Sequence, residues 1–302
     1  MDESLLKPVT STSTVVSTEA KNVFNSMTNT FILRKSMRQA EESESNFRNI
    51  LDNISKGEAT IRNWADLMER CWYKLDDAQK VSFKDATHLY PTRKQVKQKN
   101  ETFLRNLNVP VALIKAIDNF SAYEDTTVMN LETNLHLSIG SRVMLRQNFC
   151  VSKGLVNGTM GTVENIIYQN HSRISIDQPK VILVRFDSYN GLTYRETGCI
   201  PINPAVRTEN TGSTPKSRKQ FPLTLAWAMT IHKAQGQTLG KVIVDIGRSE
   251  IDTGISYVAV SRVRRFEDLA FECAYDANRI LRIGKSNSFR ILQAEKKKLF
   301  NV

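Results

Sequence analysis

A change of texture in mid-chain limits the folds open to this sequence. From about residue 136 to 221 it runs in short β-rich pieces, RVMLRQ, GTVENIIYQ and VILVRFD, punctuated by Gly140, Gly154, Gly158 and Gly161. Short β-branched runs between turn formers are strands, and strands spaced this closely read as a small barrel. On either side the period is helical or mixed. Phe47, Ile50, Leu51 and Ile54 recur at three-and-four spacing before Gly57, a helix stop. Thr60 is placed to cap a second helix, with Ile61, Trp64, Leu67, Met68, Cys71 and Trp72 along one apolar stripe and both tryptophans in the core. Downstream, FPLTLAWAMTIH (221–232), KVIVDIG (241–247) and DLAFECAY (268–275) read as strands, with a helix through Ile255 to Val263. Strands alternating with helices make an α/β layer with a parallel sheet.

The expected organisation is a weakly ordered, Ser/Thr-rich lead-in over 1–30, an α/β domain over 31–135 plus 222–285, the inserted β block over 136–221, and a basic helical tail over 286–302. The stretch 207–220, containing TENTGSTPKSRKQ, is polar with no apolar period and reads as a mobile loop. In ATHLYPTRKQVKQKN (86–100) a buried strand breaks at Pro91, and Thr92 caps the helix that follows. Backbone amides at such a helix start attract phosphate, and Arg93, Lys94, Lys97 and Lys99 surround it. Two readings stay open there: a nucleic-acid backbone contact through Thr92 and Arg93, or a solvated basic helix face.

Charge points the same way without naming a function. Lys and Arg number 42 against 31 Asp and Glu, a formal net charge of +11, which favours an anionic polymer as partner. Cys71, Cys150, Cys199 and Cys273 lie far apart with no CxxC pair, so neither a zinc ribbon nor a dense disulfide framework is indicated. No stretch approaches the roughly twenty apolar residues of a membrane span, and no signal-peptide pattern opens the sequence, so an intracellular, soluble chain is expected.

The segment AWAMTIHKAQGQTL (226–239) and the later YVAVSRVRR (257–265) carry the chemistry. Hydroxyl, imidazole and ammonium groups at Thr230, His232 and Lys233 suit phosphate and sugar oxygens, and Gly236 lets backbone approach a ligand. The planar fork of Arg262 suits phosphate oxygens. The first segment closely resembles motif V, and the second motif VI, of the Pif-one/RecD family of superfamily-one DNA helicases. LHLSIGSRVMLRQN with GLVNGTMGTV (135–148 and 154–163) resembles that family's accessory barrel, in which Asn157 and Gly158 are read as corner positions. LRKSMRQ (33–39) resembles the motif that supplies a second phosphate-facing arginine, here Arg38.

The resemblance implies a RecA-like second helicase domain carrying an inserted small β-barrel. It implies that Thr230, His232 and Lys233 touch single-stranded DNA, that Gln235 and Gly236 lie close to the nucleotide, and that Arg262 and Arg38 reach its terminal phosphate. Arg264 and Arg265 are read as surface charges. One departure stands out: the family commonly has Gln where this chain has Ile255. Nowhere does G-x-x-x-x-G-K-[ST] occur, nor an apolar strand ending in Asp-Glu, and Asp245 is read as structural. ATP and Mg²⁺ are implied as cofactors whose ligands would sit mostly on a first helicase domain. The expected function is the C-terminal part of a 5′-to-3′ helicase, inactive alone. The alternative is a non-catalytic single-strand-binding module or degenerate transposon-derived fragment. Nuclear or mitochondrial location, and telomere or repair roles, follow only by analogy.

Overall fold

The computed structural model describes residues 37–121, 127–169, 178–210 and 215–300, together with positions 19, 22, 23 and 26. Nearly all of the expected lead-in, the start of the Arg38 motif and positions 211–214 of the expected loop lie outside the described residues. The helices are α1 (Ser45–Lys56), α2 (Ile61–Met68), α3 (Asp77–Ser82), α4 (Arg93–Asn106), α5 (Ile255–Val260), α6 (Asn278–Leu281) and α7 (Asn287–Phe300). Strands β1 (Thr87–Tyr90), β2 (Ala112–Lys115), β3 (Ile117–Asp118), β4 (Thr127–Val128), β5 (Leu131–Glu132) and β6 (Asn134–Leu137) come first. Strands β7 (Arg142–Leu145), β8 (Met160–Ile167), β9 (Val181–Phe186), β10 (Ile200–Ile202) and β11 (Ala205–Glu209) follow. The last five are β12 (Lys216–Gln220), β13 (Leu223–Leu225), β14 (Ala228–Thr230), β15 (Val242–Val244) and β16 (Leu269–Phe271). Among the described residues no helix is long and apolar enough to cross a membrane.

The fold is mixed α/β and divides into two compact units, one of Met1–Pro91 with Thr230–Val302, the other of Thr92–Met229. The first holds β1, β15 and β16, adjacent in that order and running parallel. All four residues of β1 are buried, as a strand covered on both faces requires. The expected helix at 47–54 is α1, whose Phe47, Ile50, Leu51 and Ile54 are buried and which packs against α5. Gly57 ends it with φ +70, and a Cβ there would stand 2.5 Å from Gly284 Cα, so both backbone conformation and close approach demand glycine.

The second helix is shorter than its apolar stripe suggests. Thr60 caps α2 in a reciprocal capping box with Asn63, but the helix ends at Met68. Cys71 leaves it to bridge Phe271 beside β16, Ile61 is exposed, and Trp64 and Trp72 are only half-buried. A helical stripe was extended across a residue that belongs to the sheet.

In the second unit a five-stranded antiparallel sheet is ordered β10-β9-β8-β7-β13, around a core that includes Leu135, Val143, Leu145, Val184, Phe221 and Leu223. Its hydrogen-bonded order ends at β10 and β13, so closure into the expected barrel is not part of the strand pairing among the described residues. The unit is wider than the β-rich block read from the sequence. Thr92 caps α4, accepting from Gln95 N, and Asn100 on that helix exchanges two hydrogen bonds with the Ala228 backbone at 2.8 and 3.0 Å. This polar clamp ties the helix to residues far along the chain.

The stretch expected as a mobile loop is instead a hairpin. β11 and β12 pair antiparallel from Ala205↔Gln220 to Glu209↔Lys216, and β12 pairs onward with β3. Its buried face is polar: Arg218 is fully buried, with Nε and Nη2 2.7 and 2.6 Å from the two Asp118 carboxylate oxygens and Nη1 donating to Leu131 O. Buried polar groups that are fully partnered need no apolar alternation, and its absence hid the strands.

Candidate functional site

The motif that ends β14 folds into a tight turn in the first unit. Lys233 N and Ala234 N both donate to Thr230 O, at 3.0 and 3.2 Å, and Gln235 N donates to His232 O at 3.2 Å. Thr230 Oγ1 also accepts from Lys233 N. Ile231 and Ala234 are fully buried and anchor the turn, whereas His232, Gln235 and Gly236 are exposed and Lys233 is half-buried. Gly236 adopts φ +82 with open space where a Cβ would stand, so the conformation alone calls for glycine. His232 Nε2 lies 2.7 Å from the Asp252 carboxylate.

Two arginines from distant parts of the chain converge just after this turn. Arg38 Nη2 and Arg262 Nη1 both donate to Gln237 O, each at 3.2 Å. Arg262 also donates to Val258 O, Ala234 O and Ser261 Oγ, and Arg38 to Ser261 O and Thr238 Oγ1. Every one of these acceptors is neutral, and among the described residues no carboxylate pairs with either arginine. Arg262 is 5% exposed, and burial, with the Arg38 charge second, pushes its guanidinium down to about 10. Two neighbouring positive charges with no counter-ion among the described residues form a local excess of charge suited to an anion.

Several supporting residues were not foreseen. Gln39, buried beside Arg38, donates to Val263 O at 2.6 Å and so straps the Arg262 segment. Glu250 accepts from Gly254 N, Ser256 N and Ser256 Oγ, fixing the start of α5 where Ile255 departs from the family pattern. Arg279 binds Glu250 at 2.5 Å and also donates to Ile246 O and Gly247 O. The signals were weak: a Gln following the expected arginine, and isolated charges on β-to-helix connections. Arg264 and Arg265 are exposed, in line with surface charges, and Asp245 accepts from Gly247 N within its own turn. Thr92 and Arg93 belong to the second unit, both exposed at the start of α4. Among the described residues no group of three or more His, Cys, Asp or Glu is arranged to hold a metal ion.

Residues 129–166 match the family model "DNA helicase Pif1, 2B domain". The chain is 34% identical over 191 residues to the ATP-dependent DNA helicase PIF1 of Rattus norvegicus, covering 61% of this chain and 27% of that protein. It is 30% identical over 244 residues to that of Homo sapiens, covering 80% and 34%. Among solved structures, Pif1 helicase from Candida albicans shares the fold with a TM-score of 0.67 and 24% identity, covering 89% of this chain and 60% of that one. The structure titled as Bacteroides Pif1 in complex with ADP-AlF3 and ssDNA matches with a TM-score of 0.61 and 25% identity, covering 87% and 56%. The chain is similar to a PIF1-type helicase region, and it spans about a quarter to a third of the length of these curated relatives.

Proposed function

We propose that this chain is the C-terminal part of an ATP-dependent, 5′-to-3′ DNA helicase, in which the first unit supplies one wall of the nucleotide site and a grip on single-stranded DNA. The observation that carries the reading is the convergence of Arg38 and Arg262 on the Gln237 carbonyl with only neutral acceptors around them. The site fits a polyphosphate: the two guanidiniums face each other's charge until an anion arrives, and the anion would restore Arg262 to its ordinary ionisation. ATP supplies the phosphoryl group whose departure drives movement. In this reading Arg262 and Arg38 stabilise charge on its terminal phosphate, while Gln235 and Gly236 line the nucleotide. Thr230, His232 and Lys233 hold the strand, and Thr92 and Arg93 contact phosphates in the second unit. Mg²⁺ is taken to be held by residues outside this chain, and the sequence has no G-x-x-x-x-G-K-[ST] loop, so no appreciable ATPase is expected of the polypeptide alone. Cellular placement in nucleus or mitochondrion, where the family analogy points, goes with this proposal. The proposal keeps a RecA-like role for 31–135 plus 222–285 and an accessory role for 136–221, whereas the two compact units divide after Pro91 and after Met229.

Two readouts test it. Inorganic tripolyphosphate should raise the melting temperature of the wild-type chain and not of Arg262→Gln. A labelled single-stranded oligonucleotide should bind with salt-sensitive affinity, weakened by Lys233→Ala. Absence of both effects in a folded chain would remove the proposal.

A further inference from the structure

The second unit has a sheet face that is apolar where it meets water. Residues 111–118 run as one extended stretch, β2 and then β3, joined at Ala116, whose N–H donates to Thr133 O. On one side the stretch pairs with β6, placing Leu113 opposite His136 and Lys115 opposite Asn134. On the other it pairs with β12, which pairs in turn with β11, so Ile117, Lys219 and Val206 form one row across three strands. Side chains alternate between the two faces. Ile114, Leu135 and Leu137 go to the core, and Arg218 is buried against Asp118. The opposite face carries Val111, Leu113, Ile117 and Val206, which are 44, 49, 57 and 64% exposed.

The solvated face of an antiparallel sheet is ordinarily polar. Strand propensity accounts for Val111, Ile117 and Val206 as β-branched residues. It does not account for Leu113, nor for the gathering of four aliphatics on one face, which marks an interaction surface more often than scattered apolar residues do.

The charges on this face select its occupant. Lys115 and Lys219 are both exposed among the aliphatics, and within β2, β3, β6, β11 and β12 no Asp or Glu falls on this face. Glu132, just before β6, gives its carboxylate to the Thr224 hydroxyl. A second copy of the chain docked face to face would set these lysines against their own images. A nucleic acid would find no aromatic ring to stack on among the strand residues of this face, and aliphatic groups gain nothing from phosphates. A protein segment that is both apolar and acidic satisfies both kinds of group. Strands about 4.8 Å apart put Val206 about 10 Å from Ile117, close to the rise of two helical turns.

We propose that this face docks an amphipathic helix of a partner protein, with an aliphatic stripe flanked by carboxylates. The inference is independent of the nucleotide and single-strand readings.

The test uses a fluorescein-labelled amphipathic peptide of about 18 residues, long enough for five helical turns, with leucines at i, i+3, i+4 and i+7 and glutamates beside them. Its binding to the full chain is followed by anisotropy. Ile117→Thr and Val206→Thr, which keep a β-branched side chain in the strand, should each weaken binding several-fold. Lys219→Glu should weaken it further at low salt, with the difference shrinking as salt screens the pair. A peptide with glutamine in place of glutamate should bind less tightly; equal binding would overturn the acidic character of the partner. Absence of binding to the folded wild type, or wild-type affinity in all three variants, would overturn the docking face itself. Sedimentation showing a wild-type dimer that Ile117→Thr dissolves would overturn the proposal in favour of a second copy. Weaker oligothymidylate binding by Ile117→Thr, with displacement of the peptide by that oligomer from wild type, would overturn it in favour of nucleic acid.

Discussion

Replacing Arg279 with Met should destabilise the first unit by about 3–5 kcal/mol, the range for removing one partner of a buried ion pair. The Arg279 side chain is 2% exposed and that of Glu250 17%, with 2.5 Å between them. Glu250 would keep three donors, Gly254 N, Ser256 N and Ser256 Oγ, which argues for the lower half of the range. Against that, the carbonyls of Ile246 and Gly247 lose their donor, each worth roughly 1 kcal/mol. Glu250→Gln should cost a comparable amount, because it removes the charge facing Arg279 and one acceptor at the α5 start. The double variant should cost less than the sum by about 1–3 kcal/mol, as expected of residues in direct contact. Urea unfolding followed by tryptophan fluorescence in a Trp227→Phe background reads this unit selectively, since Trp64 and Trp72 lie in it and Trp64 Nε1 bonds Tyr275 O. A cost for Arg279→Met below about 1 kcal/mol, or strict additivity of the two substitutions, would refute the argument that this pair fastens α5, and with it Arg262, to the sheet.

Two further outcomes follow from the packing. Gly57→Ala should destabilise the first unit by roughly 2 kcal/mol or more, since a left-handed φ is imposed on an L side chain whose Cβ would meet backbone at 2.5 Å; a chemical-denaturation midpoint equal to wild type would contradict it. Burial, with the Glu272 hydrogen bond second, raises the Tyr90 phenol well above its usual range, and burial raises Tyr275 likewise, whose hydroxyl has no hydrogen-bond partner among the described residues. An acid whose folded ionisation is raised contributes stability that is complete below its unfolded value and falls as pH rises past about 10. Alkaline titration should therefore show these two tyrosines ionising only together with loss of the near-ultraviolet dichroism of the fold, whereas ionisation in the native state would contradict it.

Local physics was legible in the sequence wherever one segment settles its own conformation. Gly57 stops α1 and Thr92 caps α4 because each answers a backbone requirement within a turn of itself. The Thr230–Gly236 turn was nominated instead by its resemblance to motif V, and in the fold its buried Ile231 and Ala234 alternate with the polar groups it presents. The misreadings share one cause. Cys71 was assigned to a helix stripe because its partner, Phe271, is at the other end of the chain, and β11–β12 was assigned to a loop because its buried positions are Arg218 and Gln220, satisfied by Asp118, Leu131, Ile114 and Glu132.

The same limit governs the site. A motif can nominate Arg38 and Arg262 singly, but only the fold shows that they share the Gln237 carbonyl with no carboxylate paired to either among the described residues, and this deficit is what supports the proposed site. Had either been paired with an acid, as Arg279 is with Glu250 and Arg218 with Asp118, the geometry would argue for a structural role, since a compensated guanidinium has little to gain from a phosphate. Among the described residues Arg218 and Arg279 pair with carboxylates, whereas Arg262 and Arg38, like buried Arg70, have only neutral acceptors. What distinguishes the proposed pair from Arg70 is that two guanidiniums share one carbonyl, so that each adds to the charge the other must balance.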